Sequence, residues 1–143
     1  MKIYQAKKGS LIQSTVLLMA GLPFFIYLTD SKTIETNPII LLPLISPLIF
    51  ILWFYLGTSY KLESHQLYYK SGFIKGKIPV SAIREIHKDT TLWAGLKPAL
   101  ASGGIIINYG KFDEIYIAPE NNEELIKDLV NLNPSIKILE KGN

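Results

Sequence analysis

Two histidines and one pair of adjacent carboxylates are the residues of this chain best suited to catalysis or metal binding. His65 falls in a predicted hairpin turn and His87 at a strand end, and neither has a partner at a spacing that suits metal ligation. Asp113 and Glu114 are neighbours in a predicted strand, where successive side chains point to opposite faces. The chain has no cysteine, which excludes thiol catalysis and Cys-ligated metals. We therefore expect no enzyme, no metal site and no cofactor.

Basic residues form a second group, because they could bind anions. Seven basic residues face three acids between positions 61 and 97, whereas four lysines face seven acids between 111 and 143. Near an anionic bilayer, each basic contact with a headgroup contributes about 1 kcal/mol. Edge-strand lysines also block aggregation, so a purely structural role stays open. The candidate binding residues of this segment are Lys70, Lys75, Lys77 and Arg84.

An apolar stretch at residues 91–100, "TLWAGLKPAL", fits neither a strand nor a helix period and predicts a long loop. Such a loop either packs under a sheet or anchors a partner, and packing is favoured because most large aromatic side chains are substantially buried. If the loop is exposed, Trp93 and Leu96 are its candidate binding residues.

The overall charge excludes one class of partner. The 143 residues carry a net charge of +3, without the dense basic stripe and stacking aromatic side chains of a nucleic-acid-binding protein. We expect no nucleic acid as a partner, and a bilayer with anionic headgroups, or a membrane protein or peptide, as the alternatives.

Two uncharged stretches in the first 57 residues predict a transmembrane hairpin. Residues 11–28 and 38–57 contain no charged side chain, and about 20 apolar residues cover the roughly 30 Å hydrocarbon core. Neither stretch has the polar stripe of a soluble helix, and neither has an ionisable group of the kind that transporters need. We interpret them as a membrane anchor.

Charges around the two spans predict their orientation. The tail of residues 1–10 carries three lysines and further lysines follow the second span, whereas the loop at residues 29–37 carries one. The positive-inside rule then places the tail and the C-terminal domain in the cytoplasm, and the loop outside. The prediction is a multi-pass protein of the inner, cytoplasmic membrane.

The rest of the chain, residues 58–143, predicts a small sheet closed by a helix. Short alternating runs with tight turns indicate at least five strands of an antiparallel sandwich or partly open barrel. A helix at about 120–132 follows, with Asn121 and Glu124 spaced as a capping box and Asn133-Pro134 as its end. The leucines and isoleucine expected on its apolar face are Leu125, Ile126, Leu129 and Leu132.

Several motifs of this domain resemble the bacterial PH-like family of short membrane-anchored proteins. They are "YKLESHQLYYKSGFIKGKIPVSAIREI", "KPALASGGIIINYGKFDEIYIAPENNEELIKDL" and "NLNPSI". The resemblance implies a PH-like sandwich capped by a helix, cytoplasmic and without catalytic residues. The chain is also loosely similar to PH-like immunity proteins of the sublancin type, which protect bacteria from their own bacteriocins. Where relatives often carry an Asp-Arg pair after the "PAL" loop, this chain has Gly103 and Gly104.

The expected function is therefore a non-enzymatic binding module held on the membrane, with a bacteriocin immunity protein as the alternative.

Overall fold

A helical hairpin forms the N-terminal part of the computed structural model, which describes residues 1–92 and 95–140. Helix α1 covers Ser10–Thr29, and a 3-10 turn at Pro38–Ile40 leads into α3, Leu41–Gly57. Each arm of 20 residues is long and apolar enough to cross a membrane, and no residue of either arm is buried in the protein. The predicted loop between the arms contains a short helix, α2 (Ser31–Thr36).

Two four-stranded sheets make up the rest of the molecule. Their strands are β1 (Lys2–Gln5), β2 (Ser59–Glu63), β3 (Gln66–Ser71), β4 (Ile74–Pro79), β5 (Ile83–Thr90), β6 (Gly104–Tyr109), β7 (Asp113–Ile117) and β8 (Lys137–Leu139). The first sheet has the order β1-β2-β3-β4 and is antiparallel, and the second has the order β7-β6-β5-β8, with β8 parallel to β5. The sheets form a sandwich that is not closed into a barrel, which confirms the predicted fold class.

The first strand is a finding that the sequence did not predict. In place of a plain tail, β1 pairs with β2 from Lys2 opposite Leu62 to Gln5 opposite Ser59. Beyond it, Ala6 forms a bridge with Pro119, next to the end of β7. Because β1 precedes α1 and β2 follows α3, the start of α1 and the end of α3 lie on the same side of the domain.

The C-terminal helix α4, Asn122–Leu132, starts and packs as its sequence predicts. The side chain of Asn121 accepts a hydrogen bond from the backbone N–H of Glu124 at 3.1 Å. Leu125 and Leu129 are fully buried against the sandwich, and each such side chain contributes roughly 2 kcal/mol. Leu132, expected on the same face, is 39% exposed, because it is the last residue of the helix and lies beyond the buried positions Leu125, Ile126 and Leu129.

An acidic residue of α4 connects the helix to β1 through hydrogen bonds. The Asp128 carboxylate accepts hydrogen bonds from the Lys2 ammonium and from the Tyr4 hydroxyl. These two donors hold the pKa of Asp128 below its ordinary value. A carboxyl group with a depressed pKa stabilises the folded state above its unfolded-state pKa, about 3.9, and this contribution disappears as the pH falls through the folded-state value.

Replacing Asp128 by asparagine should therefore destabilise the protein in a pH-dependent way. We expect a loss of about 1 kcal/mol at neutral pH, because Tyr4 keeps only a weaker acceptor. Below about pH 4 the difference from the parent should shrink, because the carboxyl group of the unfolded parent then takes up a proton, and it should be smallest once the pH falls below the depressed folded-state pKa. Thermal unfolding of the full chain in detergent between pH 3 and 7 measures this. The variant Asp113→Asn, at an exposed position of β7, is the control and should show no such difference at neutral pH.

Candidate functional site

The lysines of β2, β3 and β4 gather on the outer face of the first sheet. Lys70 lies directly opposite Lys75, and Tyr68 lies between Lys61 on one neighbouring strand and Lys77 on the other. Residues opposite each other in a sheet share a face, so these five side chains project from the same surface. We call Lys61, Tyr68, Lys70, Lys75 and Lys77 the lysine face.

A shallow groove of about 420 Å³ runs across the lysine face. Besides these five residues, Ser59, Tyr69 and Gly76 line it. Tyr69 and Gly76 alternate with the lysines along their strands, and a Cβ atom at Gly76 would lie 2.3 Å from the Tyr69 hydroxyl oxygen, so glycine here makes room for Tyr69, which packs against the core. The exposed wall of the groove is mostly apolar, and the ammonium groups of its four lysines with the hydroxyl groups of Ser59 and Tyr68 are the polar groups that an anion could meet there.

Positive charge on this face is only partly compensated. Lys61 forms an ion pair with Glu63 at 2.6 Å, which lowers the pKa of that carboxyl group. Within residues 1–92 and 95–140, Lys70, Lys75 and Lys77 have no carboxylate oxygen within 4.0 Å. Like charges directly opposite each other destabilise a sheet, as the Lys70 and Lys75 pair does here. A bound anion would offset this repulsion.

The turn between β3 and β4 docks on the C-terminal end of α3. Phe73 in this turn has its ring centroid 5.3 Å from that of Phe54 and 6.5 Å from those of Phe50 and Trp53. We call these four aromatic residues the aromatic junction. The preceding Gly72 has φ +56°, as a two-residue hairpin turn requires, and a Cβ there would lie 2.9 Å from the Phe54 ring.

Buried hydroxyl groups hold the same junction together. The Thr58 hydroxyl, just after α3, donates to the Phe54 carbonyl at 2.7 Å and lies 2.8 Å from the Ser71 hydroxyl. Both Thr58 and Ser71 are buried. The end of α3 and the β3–β4 hairpin are therefore packed as one unit, and Lys70 and Lys75 lie immediately beside it.

The N-terminal end of α1 rests on the same end of the domain. The Lys8 ammonium lies 4.6 Å from the centroid of the Tyr55 ring of α3, and the Gly9 N–H donates to the Leu100 carbonyl at 3.3 Å. The loop that includes Leu100 is itself fastened, since the buried Tyr60 hydroxyl donates to the Pro98 carbonyl at 2.7 Å. The end of the domain that faces the helices is therefore built from this loop and the β3–β4 turn.

The candidate binding residues do not all meet at one site. Lys70, Lys75 and Lys77 lie together on the lysine face, as described above. Arg84 lies in β5 of the other sheet, where its guanidinium group donates to the Lys111 carbonyl at 3.0 Å. Leu96 is half-buried against the core and bridges to Ile115, so it packs the loop onto the domain. Trp93 lies outside the described residues.

Three residues of this region, Lys61, Tyr68 and Phe73, were not among the candidates. Lys61 and Tyr68 could have been found from the two-residue alternation of their strands, since their neighbours Leu62 and Leu67 are buried. Phe73 could not, because its contacts are with a helix about 20 residues earlier in the chain. The one local signal is that a large apolar residue, phenylalanine, stands in a tight turn, where its side chain is 63% exposed.

Within the described residues, the fold does not bring the possible catalytic residues together with one another. His65 is exposed in the β2–β3 turn, as predicted, and the His87 Nε2 lies 3.2 Å from the Asn108 side-chain amide. Asp113 and Glu114 are both exposed. The described ranges contain no cluster of three or more His, Asp or Glu side chains that could hold a metal ion. The lysine face therefore remains the best-formed polar site.

Comparison with known proteins agrees with this architecture. A family model described as a bacterial PH domain matches residues 58–133. The match begins at the end of α3 and includes β2 to β7 and α4. No curated protein and no solved structure matches the chain.

Proposed function

The chain belongs to the bacterial PH domain family, and on that premise we propose that it is a membrane-anchored, non-enzymatic binding module that binds anionic lipid headgroups through the lysine face. PH domains are generally binding modules without catalytic activity, and they often bind lipids or proteins. In this proposal α1 and α3 span the inner membrane, and the domain lies on its cytoplasmic side.

The orientation rests on the charges and on the strand pairing. Three lysines precede α1, and the lysine face follows α3, whereas one lysine lies between the helices. The positive-inside rule assigns both ends of such a hairpin to the cytoplasm. The pairing of β1 with β2 independently supports one part of this assignment, that both ends lie on the same side of the bilayer.

The single observation that carries the headgroup proposal is the docking of Phe73 on α3. Trp53 and Phe54 lie three to four residues before the end of α3, about 5 Å along the helix axis. A tryptophan side chain at such a position, here Trp53, sits at the level of the lipid headgroups. Phe73 packs against both Trp53 and Phe54. The neighbouring Lys70 and Lys75 are therefore brought to the surface of the bilayer.

The test is lipid binding by the full chain in a non-ionic detergent. Native mass spectrometry would follow the binding of phosphatidylglycerol and, for comparison, of phosphatidylcholine. We expect tighter binding of phosphatidylglycerol, and we expect the triple variant Lys70→Gln, Lys75→Gln, Lys77→Gln to lose about tenfold or more, since each contact contributes about 1 kcal/mol.

A matched control separates the lysine face from general charge. Lys127→Gln removes one exposed lysine of α4, on another surface of the domain, and should leave the preference unchanged. Equal binding of both lipids by the parent protein would contradict the proposal. In that case a protein or peptide partner, including the bacteriocin of an immunity protein, becomes the ligand to seek.

A further inference from the structure

The lysine face is arranged in two rungs across the strands. The first rung, Lys70 and Lys75, is adjacent to the pair Ser71 and Ile74 that closes the β3–β4 turn. The second rung consists of Lys61, Tyr68 and Lys77. The rungs are two residues apart along each strand, which places them about 7 Å apart. The site therefore has a near end and a far end relative to the aromatic junction.

The two rungs differ in how much positive charge they leave for a ligand. Both lysines of the first rung lack a carboxylate partner among the described residues. In the second rung Lys61 is paired with Glu63, so Lys77 supplies the uncompensated ammonium group there. Tyr68 lies beside it and presents a hydroxyl group that can donate to a phosphate oxygen.

From this arrangement we infer that the lysine face selects a lipid headgroup with two phosphates in series, a phosphodiester at the first rung and a terminal phosphate at the second. This inference rests on the proposed function and specifies its ligand. The diester that joins the headgroup to the acyl chains lies at the bilayer surface, level with Lys70 and Lys75. A glycerol linker between the two phosphates spans a distance comparable to the separation of the rungs.

The acyl chains hold the phosphodiester at the bilayer surface beside the first rung, so the terminal phosphate is left for the second rung, where Lys77 and the Tyr68 hydroxyl group meet it. A phosphate monoester carries about −1.5 to −2 charges at pH 7 and three acceptor oxygens. A headgroup with one phosphodiester can satisfy the first rung but leaves Lys77 without an anion. The ligand class is therefore a phospholipid such as phosphatidylglycerol phosphate, as opposed to phosphatidylglycerol.

The experiment compares these two lipids on the full chain by native mass spectrometry in detergent, with phosphatidylcholine as the neutral reference. We expect phosphatidylglycerol phosphate to bind about fivefold tighter than phosphatidylglycerol. Lys77→Gln should abolish most of this preference, and it should weaken phosphatidylglycerol binding less than Lys70→Gln with Lys75→Gln does. Lys70→Gln with Lys75→Gln should weaken the binding of both lipids.

Lys7→Gln is the control for non-specific attraction to the more highly charged lipid. Lys7 is exposed, next to the start of α1, and lies outside the groove. An equal loss of preference in the Lys7 and Lys77 variants would overturn the inference. Equal binding of phosphatidylglycerol phosphate and phosphatidylglycerol would also overturn the inference. If both lipids still bound better than phosphatidylcholine, the proposed function would be retained. If neither lipid exceeded phosphatidylcholine, both proposals would fall.

Discussion

Removal of residues 2–6 should leave the rest of the domain unable to fold stably. The deletion takes away β1, whose Tyr4 side chain is 5% exposed and whose Ala6 is 1% exposed. Burial of a side chain as large as Tyr4 contributes about 2 to 3 kcal/mol, and each lost ladder hydrogen bond about 1 kcal/mol more. Small domains are stable by only about 5–15 kcal/mol in total. The isolated fragment 58–143 should therefore be partly or fully unfolded, as measured by circular dichroism and urea denaturation.

A linked protein gives the matched control for this deletion. Since Gln5 lies opposite Ser59, residues 1–7 can be joined to 58–143 by a short Asn- and Gly-containing turn that replaces α1 to α3. We expect this protein to unfold cooperatively in urea. Cooperative unfolding of fragment 58–143 at the same urea concentration would contradict the role assigned to β1.

Replacement of Gly104 by alanine should have the second large effect. A Cβ atom at this position would lie 2.2 Å from the Ile117 carbonyl oxygen and 2.9 Å from the Ala118 Cα. Both atoms belong to the backbone of the neighbouring chain segment, so no side-chain rotation can relieve the overlap. We expect a loss of about 3 kcal/mol or more and a clearly lower midpoint of thermal unfolding.

Gly21→Ala is the matched control, because the same substitution at the middle of α1 meets no atom within 4 Å. It should leave the midpoint unchanged or slightly raised, since alanine is the better helix former. Equal midpoints for the two variants would show that β6 and β7 are not packed as described. The same close approach explains why glycine stands at this position.

Local sequence patterns were sufficient for much of the fold. Continuous apolar stretches predicted the two long helices, and alternating runs with turn residues predicted β2 to β7. The capping residues and the apolar face predicted a helix at about 120–132, and α4 covers Asn122–Leu132. Each of these signals lies within about 20 consecutive residues, which is why it could be read without the tertiary structure.

The missed elements depend on partners that are distant in the chain. β1 and β8 have four and three residues, too few for a clear alternation, and β1 pairs with a strand more than 50 residues later. The charge pattern alone could not show that Arg84 lies in a different sheet from Lys70, Lys75 and Lys77, because the basic segment is continuous in sequence but divided between the two sheets. The role of Phe73 could not be predicted from its neighbours in the sequence, because it depends on contact with Phe54 of α3.

The depth of the β3–β4 turn in the bilayer tests the central proposal most directly. The chain has no cysteine, so Phe73→Cys and Phe112→Cys each create a single labelling site. Phe112 is 85% exposed in the turn between β6 and β7, at the opposite ends of those strands from the loop that contacts Gly9. Each full-length variant would carry a small fluorophore in vesicles that contain phosphatidylglycerol and lipids with a quencher near the headgroup.

We expect strong quenching of the label at position 73 and little at position 112, because only the first lies beside the end of α3. Similar weak quenching at both positions would mean that the domain stands away from the bilayer. The lysine face would then lie beyond the reach of headgroups, and its proposed role in binding them would be wrong.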